Sequence, residues 1–370
     1  MRRRNPPAAF RMNQHFTGLQ ILRFAAAMLV VVMHITQAIS IHITGQGPDH
    51  YWGPGTAGVD IFFVLSGFVM TITTGAVPAA PAARRHAAWV FFKRRLVRIV
   101  PLYWFYTMLK VALLLAVPAL AVKSTIDPAH LAASLLFIPT ISPWGLVQPV
   151  LPVGWTLNFE MLFYAVFAIG MLLGAPRIRF CLLVFASLFL LGQYLPAVVP
   201  LAFYADSIIF EFILGVAIAQ SVLRFRAAAP ALGALLVLAG VAFTFGIAWD
   251  DGAARLAPWG IGAAAIVLGT VWLEPLIRKA PLAAPLAFLG DASYSIYLGH
   301  TFVVPACVQL LQRFGVVDPI AIMLLVSAMV MLTGALSYLW LEKPMTSFFK
   351  RLLFRTAPLG YRNARPAAPE

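Results

Sequence analysis

Apolar stretches of about 20 residues alternate with short polar connections along most of the chain. A helix of about 20 residues covers the hydrocarbon layer of a bilayer, which is roughly 30 Å thick. The pattern therefore predicts an all-α, polytopic membrane protein with about ten transmembrane helices. The predicted spans cover residues 19–40, 58–77, 101–121, 154–174, 179–197, 203–221, 231–249, 256–276, 286–310 and 319–341. A shorter apolar segment, 130–141, is expected in a loop or at the interface.

The basic residues predict the direction in which these helices cross. Of the 27 Lys and Arg residues, 22 fall in the N-terminal segment, in alternate loops or in the C-terminal tail. Because Lys and Arg concentrate on the cytoplasmic side, this asymmetry predicts that both termini are cytoplasmic. The chain then divides into a basic N-terminal segment (1–18), a membrane domain (19–345) and a basic cytoplasmic tail (346–370).

Composition agrees with this assignment. Hydrophobic residues make up 61% of the chain and charged residues only 11%, whereas soluble domains carry about 25% charged residues. The formal net charge of +14 follows from the loop asymmetry, so no nucleic-acid partner is expected. Cys181 and Cys307 lie in apolar runs and imply no disulfide framework. The sequence has no clustered Cys and His ligands, and no metal site is predicted.

Ionisable residues inside the first two spans mark a candidate site, because such groups are costly in a membrane. Arg23 and His34 are eleven residues apart, which is about 16.5 Å of rise and about 20° of rotation, so they share one helix face. Asp60 lies at the outer end of the second span, at a depth within side-chain reach of the layer that contains His34. A carboxylate there would orient the imidazole and make it a general base for a hydroxyl group. The alternatives are a structural hydrogen bond for His34 and a helix cap for Asp60.

Further polar residues are predicted at the same depth. Glu160 lies about 9 Å into the fourth span, and Tyr297 and His300 lie in the outer half of the ninth. We expect these groups to share a water-accessible chamber that opens toward basic residues on the inner surface. Ser66 and its neighbour Gly67 would permit close helix packing or the passage of a thin acyl chain. Structural roles, such as a Tyr or Trp partner for Glu160, remain alternatives.

Two arginines before the third span suggest the chemistry of a ligand. Arg95 and Arg98 lie one helical turn apart, and paired guanidinium groups suit phosphate oxygens. A cytoplasmic phosphorylated donor such as coenzyme A could bind there. The alternative is that this basic cluster sets topology and contacts anionic lipids.

Several motifs occur in order over residues 15–345. They are Arg23 and His34 as an R-x10-H element, then GVDIFFVLSGF, RRLVRIVP, GWTLNFEMLFY, SYSIYLGH and LEKP. This ordered set resembles acyltransferase family 3, integral membrane enzymes that O-acylate bacterial envelope glycans, and especially the branch that acetylates exopolysaccharides such as succinoglycan. The resemblance implies that His34 is the catalytic histidine, that Arg23 is its partner, and that Arg95 and Arg98 handle the acyl-coenzyme A donor. In contrast to larger family members, the chain is expected to lack a C-terminal periplasmic esterase-like domain, so that the membrane domain would recognise the acceptor alone or with a partner.

We therefore expect an O-acetyltransferase of the bacterial inner membrane, which moves an acetyl group from cytoplasmic acetyl-CoA to a sugar hydroxyl of an exopolysaccharide or another envelope glycan. The acceptor would be a polysaccharide or a lipid-linked glycan, and membrane lipids would surround the protein. A homo-oligomer and a polysaccharide-assembly partner both stay open. The alternative function is a proton-coupled transporter or flippase, since intramembrane His and carboxylate groups also serve proton relays. The expected catalytic residues are His34, Asp60, Glu160 and His300, and the expected donor-binding residues are Arg23, Arg95, Arg98, Ser66 and Tyr297.

Overall fold

The computed structural model describes residues 16–75, 77–117, 126–225, 229–246 and 256–354. Within these ranges the chain forms fourteen α-helices and no β-strand. The helices are α1 (Thr17–Ile39), α2 (Ala57–Thr74), α3 (Pro81–Ala116), α4 (Pro128–Leu135), α5 (Trp155–Leu173), α6 (Arg177–Tyr194), α7 (Val199–Tyr204), α8 (Glu211–Phe225), α9 (Pro230–Phe245), α10 (Ile261–Ile277), α11 (Ala283–Asp291), α12 (Ser293–Arg313), α13 (Pro319–Ser337) and α14 (Lys343–Phe354).

The all-helical prediction is confirmed for these residues, and most predicted spans correspond to long apolar helices. Within the described ranges, eight helical segments are long and apolar enough to cross a membrane. The predicted spans 231–249 and 256–276 correspond to α9 and α10, which have only 16 and 17 residues. The count of ten and the cytoplasmic position of both ends stay predictions. The basic residues expected at those ends include several outside the described ranges, namely Arg2, Arg3, Arg4, Arg11, Arg355, Arg362 and Arg365.

Two predicted boundaries are wrong. The third span was expected to begin at residue 101, but α3 has 36 residues and begins at Pro81, with Pro101 inside it. The basic residues before Pro101 therefore belong to the same helix as the apolar residues after it. The predicted span 286–310 is two helices, because the chain bends at Ala292, between α11 and α12.

The first turn of α1 is capped by a residue far away in the sequence. Phe16 precedes the helix and provides no side-chain cap. Instead, the Glu274 carboxylate on α10 accepts hydrogen bonds from the backbone N–H groups of Thr17 and Gly18, both at 2.8 Å. Unpaired N–H groups at a helix start are costly when buried, and a carboxylate also complements the helix dipole. Glu274 thus fixes α1, which carries Arg23 and His34, against α10.

Glycines allow α2 and α8 to pack very closely. A Cβ atom at Gly67 would overlap the carbonyl oxygen of Phe212, and one at Gly215 would overlap that of Val64. The two helices therefore approach backbone to backbone, as small residues permit in membrane bundles. Of the two roles considered for the Ser66-Gly67 pair, close helix packing is the one that Gly67 has in the structure.

A stack of three phenyl rings joins α2, α5 and α8 in the largest buried cluster. Phe212 lies between Phe63 and Phe163, with ring centroids 4.5 Å apart in both pairs and nearly parallel planes. Stacked aromatic pairs add about 0.5–1.5 kcal/mol each beyond the burial of their area. This stack holds α2 and α5 in the positions from which they line the cavity described next.

Candidate active site

A cavity of about 290 Å³ lies between α1, α2, α3, α5 and α12. Along α2 its lining extends from Val59 to Thr73, which corresponds to about 21 Å of helix. Most of its surface is apolar, with side chains such as Phe63 and Leu157, while three arginines, one glutamate and several hydroxyl groups provide the polar part. An apolar cavity with a few charged groups is typical of a small-molecule binding site.

Arg23, Arg95 and Arg98 all line this cavity. The three were predicted to bind the same donor, and a common position at one cavity is consistent with that prediction. Arg23 donates from Nη1 to Gln20 Oε1 at 3.1 Å. The Arg95 guanidinium lies 5.6 Å from the centroid of the Phe91 ring, and its buried Nε has no hydrogen-bond partner in the described part of the chain. Three cations around one cavity favour an anionic ligand.

Arg98 is paired with a carboxylate that the sequence analysis did not select. Its Nη1 lies 2.5 Å from Glu342 Oε1, and the Ser295 hydroxyl donates to Glu342 Oε2 at 2.7 Å. Glu342 is 1% exposed and belongs to the LEKP motif. The sequence did contain a signal for this pair, because Glu342 is a single acidic residue at the end of the last long apolar run. Such a group is costly in a membrane without a partner, so a cationic partner could have been expected.

Glu160 lines the cavity and has two hydroxyl partners. Ser66 donates to its Oε1 at 3.0 Å, and Tyr164, one turn further along α5, donates to the same oxygen. A tyrosine partner was the structural alternative for Glu160, and the structure contains this contact together with exposure to the cavity. Ser66 itself lines the cavity, which places it at the predicted ligand site.

Tyr297 connects the cavity with the histidines. Its ring lines the cavity, lies 6.0 Å from the Phe62 ring and lies 5.9 Å from the His300 ring. Its hydroxyl is 3.0 Å from Thr156 Oγ1 and donates to the Val153 carbonyl at 3.1 Å. These contacts fix the Tyr297 side chain between α12 and the start of α5. Thr156 was not predicted, since its partner lies 141 residues away.

His34 and His300 face each other, as their predicted depths suggested. Their ring centroids are 5.0 Å apart, with planes inclined by 32°. His34 Nδ1 lies 3.4 Å from Gln37 Oε1, while His300 is 1% exposed and neither of its ring nitrogens makes a well-aligned hydrogen bond among the described residues. Neither histidine lines the cavity, in contrast to the single shared chamber that was expected. Tyr297 stands at the border of the two regions, since it lines the cavity and its ring lies 5.9 Å from the His300 ring.

Asp60 is fully buried in the first turn of α2, where a negative charge suits the helix dipole. The expected hydrogen bond to His34 is not among those of the described residues, where the contact of His34 Nδ1 is with Gln37 Oε1 at 3.4 Å. Asp60 and His34 were paired because their predicted depths matched. Depth does not give the rotation of α2 about its axis, and this rotation decides which way the Asp60 side chain points. Within the described ranges, no three His, Cys, Asp or Glu side chains are grouped so that they could bind a metal.

A helical membrane bundle that encloses a cationic cavity beside a histidine pair fits an enzyme that handles an anionic small molecule. Residues 16–339 match the family of acyltransferase domains, and the chain therefore belongs to acyltransferase family 3. It is a membrane acyltransferase. The chain is 36% identical, over 307 residues, to the exopolysaccharide production protein ExoZ of Rhizobium meliloti (strain 1021), covering 80% of this chain and 91% of that protein. No solved structure matches.

Proposed function

We propose that the protein transfers an acetyl group from cytoplasmic acetyl-CoA to a sugar hydroxyl of an exopolysaccharide, in the bacterial inner membrane. Family membership supports acyl transfer, and the name of the ExoZ relative supports an exopolysaccharide acceptor. The observation that carries the proposal is the arginine-lined cavity, which ends at Tyr297 in ring contact with His300 and, through it, with His34.

The cavity suits the narrow arm of the donor. Its volume of about 290 Å³ is at the lower end of the range for small-molecule sites, roughly 300–1,000 Å³. We therefore assign the extended thioester arm to the cavity and the nucleotide to the basic surface at its cytoplasmic end. Arg23, Arg95 and Arg98 would hold anionic groups of the donor at the transition between the two. Glu160 would offset part of their charge.

His34 would act as the general base. In this mechanism its imidazole removes the proton from the acceptor hydroxyl, and the hydroxyl oxygen forms a bond to the thioester carbonyl carbon. The carbon–sulfur bond then breaks, and the protonated imidazole returns the proton to the departing thiolate. His300 would hold the His34 ring in place. Tyr297 lines the cavity and lies 5.9 Å from His300, so the thioester would pass the Tyr297 side chain on its way to His34.

Transfer of radiolabel tests this function. The purified protein is incubated with [14C]acetyl-CoA and with precursors of the exopolysaccharide, and label in the glycan is measured. We expect labelled glycan with the wild-type protein and none with His34→Ala. His42→Ala is a matched control, because His42 follows eight residues later on the same helical segment and lies outside the cavity.

The same assay separates the enzyme from the alternative transporter or flippase. A transporter would move the glycan or the solute without labelling it, and a proton gradient would change its rate. Absence of label in every acceptor, despite bound acetyl-CoA, would contradict acetyl transfer. Normal labelling by His34→Ala would remove His34 from the mechanism.

A further inference from the structure

The contacts of Glu342 bring three separate helical elements together beside the cavity. Glu342 ends the π-helical segment Tyr338–Glu342, which continues α13. Its Oε1 pairs with Arg98 on α3 at 2.5 Å, and its Oε2 accepts from Ser295 on α12 at 2.7 Å. Each carboxylate oxygen therefore has its own partner, and the side chain is held from two directions.

A buried carboxylate in this position needs both partners. Glu342 is 1% exposed, and a charge taken out of water is costly unless it is paired and hydrogen-bonded. The Arg98 side chain is not buried to the same degree, because 30% of it is exposed and it lines the cavity. The pair thus has a fixed, buried end at Glu342 and an accessible end at Arg98.

The accessible end keeps most of its hydrogen-bonding capacity. A guanidinium group carries five N–H donors in a planar fork, and the ion pair with Glu342 uses Nη1. The remaining donors can bind a ligand in the cavity. Arg23 and Arg95 line the same cavity and repel a third cation, so without Glu342 the Arg98 side chain would be pushed toward solvent.

We propose that Glu342 is a positioning residue, which is supported by Ser295 and holds the Arg98 guanidinium in the cavity wall so that it binds an anionic group of the acyl donor. The proposal rests on the proposed function, since it takes coenzyme A as the donor. Fixing a binding group before the ligand arrives increases affinity, because less side-chain freedom is lost on binding.

A purely structural ion pair would behave differently. Glu342 also links the end of α13 to α3, and loss of this link alone would lower thermal stability while leaving donor affinity unchanged. Dependence on Arg98 distinguishes the two roles. If Glu342 acts through Arg98, its replacement has little further effect on donor affinity once Arg98 is gone.

The test measures binding of coenzyme A itself to the full-length protein in lipid nanodiscs by isothermal titration calorimetry. We expect the dissociation constant to rise about tenfold in Glu342→Ala, which is the range for losing a hydrogen bond to a charged group. The dissociation constant should rise less in Glu342→Gln, because glutamine has nearly the same volume as glutamate and its amide oxygen still accepts from Arg98. In the Arg98→Ala background, Glu342→Gln should add less than about twofold.

Ser134→Ala is the matched control. Ser134 is also a buried polar residue, but its hydroxyl donates to the His130 carbonyl at 2.7 Å and accepts from the Val150 backbone N–H at 3.0 Å, and none of these three residues lines the cavity. This variant should lose thermal stability and bind coenzyme A like the wild type. If Glu342→Ala does not fold, Glu342→Gln and Ser295→Ala supply the same comparison.

The outcomes separate the two proposals. A wild-type protein that does not bind coenzyme A would refute the donor assigned under the proposed function, and the role of Glu342 would fall with it. A wild-type protein that binds, with Glu342 variants that bind equally well, would overturn only the positioning role. The positioning role would also be overturned if Glu342→Gln weakened coenzyme A binding by the same factor in the Arg98→Ala background as in the wild-type background.

Discussion

The cavity and the histidine pair differ in how their polar groups are satisfied. Around the cavity, Arg98 has Glu342, and Glu160 has the hydroxyls of Ser66 and Tyr164, while the Nε of Arg95 is unpaired within the described residues. In the histidine pair, His34 has one long contact to Gln37, and the nitrogens of His300 lack a well-aligned hydrogen bond within the described residues. Tyr297 belongs to both regions, since it lines the cavity and its ring lies 5.9 Å from the His300 ring.

This difference matches a division of labour between binding and reaction. Groups that bind a ligand gain from being held in one orientation, because less freedom is lost when the ligand arrives. A general base needs an uncommitted nitrogen that can accept and return a proton. Variants in the cavity should therefore change donor affinity, and variants in the histidine pair should change turnover.

The largest effect is expected at His34. Replacing His34 by Ala removes the proposed base, so kcat should fall by about a factor of 10² to 10⁴, the usual contribution of general base catalysis. Affinity for coenzyme A should stay as in the wild type, because His34 does not line the cavity. Steady-state kinetics and calorimetry on the same preparation measure both quantities. A parallel loss of affinity would contradict the separation of the two regions.

The second-largest effect is expected at Arg95, and there it should change donor affinity and not kcat. Arg95→Ala removes a guanidinium whose Nε is unpaired in the described part of the chain, and coenzyme A affinity should fall about ten- to hundredfold. The value of kcat at saturating donor should change little. Arg95→Lys is the informative partner variant, since it keeps the charge and loses the planar fork. An unchanged KM for acetyl-CoA in Arg95→Ala would show that Arg95 does not bind the donor.

A smaller effect is expected at His300. His300→Gln removes a ring that lies 5.0 Å from His34 and 5.9 Å from Tyr297, so His34 should lose part of its orientation. We expect kcat to fall about tenfold, since small misplacements of a catalytic group are costly, while KM for acetyl-CoA is unchanged. A rise in KM with normal kcat would assign His300 to the binding region instead.

The sequence predicted single-helix properties better than contacts between helices. Hydropathy predicted α1 and α2 within a few residues, because burial of about 20 apolar residues is a local requirement. Counting depth along outward-running helices also brought His34 and His300 to one level, as observed. The i, i+4 spacing of Glu160 and Tyr164 on α5 could have revealed their contact.

Contacts that depend on helix rotation could not be predicted in this way. Asp60 was assigned to His34 by depth alone, and the hydrogen bond of His34 goes to Gln37. Arg98 and Glu342 are 244 residues apart, so nothing local indicates their pairing. The same applies to Tyr297, which lines the cavity and also lies against His300, since its position depends on how the five lining helices are turned about their axes.

The smallest effect is expected at Ser66, and it tests whether the cavity network is shared among several partners. Ser66→Ala removes one hydrogen bond to Glu160, but Tyr164 still donates to the same carboxylate. One such bond contributes about 0.5–1.5 kcal/mol, which is a factor of about 2 to 13. Because Tyr164 still donates to Glu160, KM for acetyl-CoA should rise at the low end of this range, about two- to threefold, with kcat unchanged. Ser337→Ala is the matched control, because it removes a hydroxyl contact to Tyr106 at 2.8 Å away from the cavity lining, and it should lower thermal stability alone. If KM for acetyl-CoA rose as much in Ser66→Ala as in Arg95→Ala, the orientation of Glu160 would depend on Ser66 and not on Tyr164. Donor binding would then depend on this one hydroxyl group.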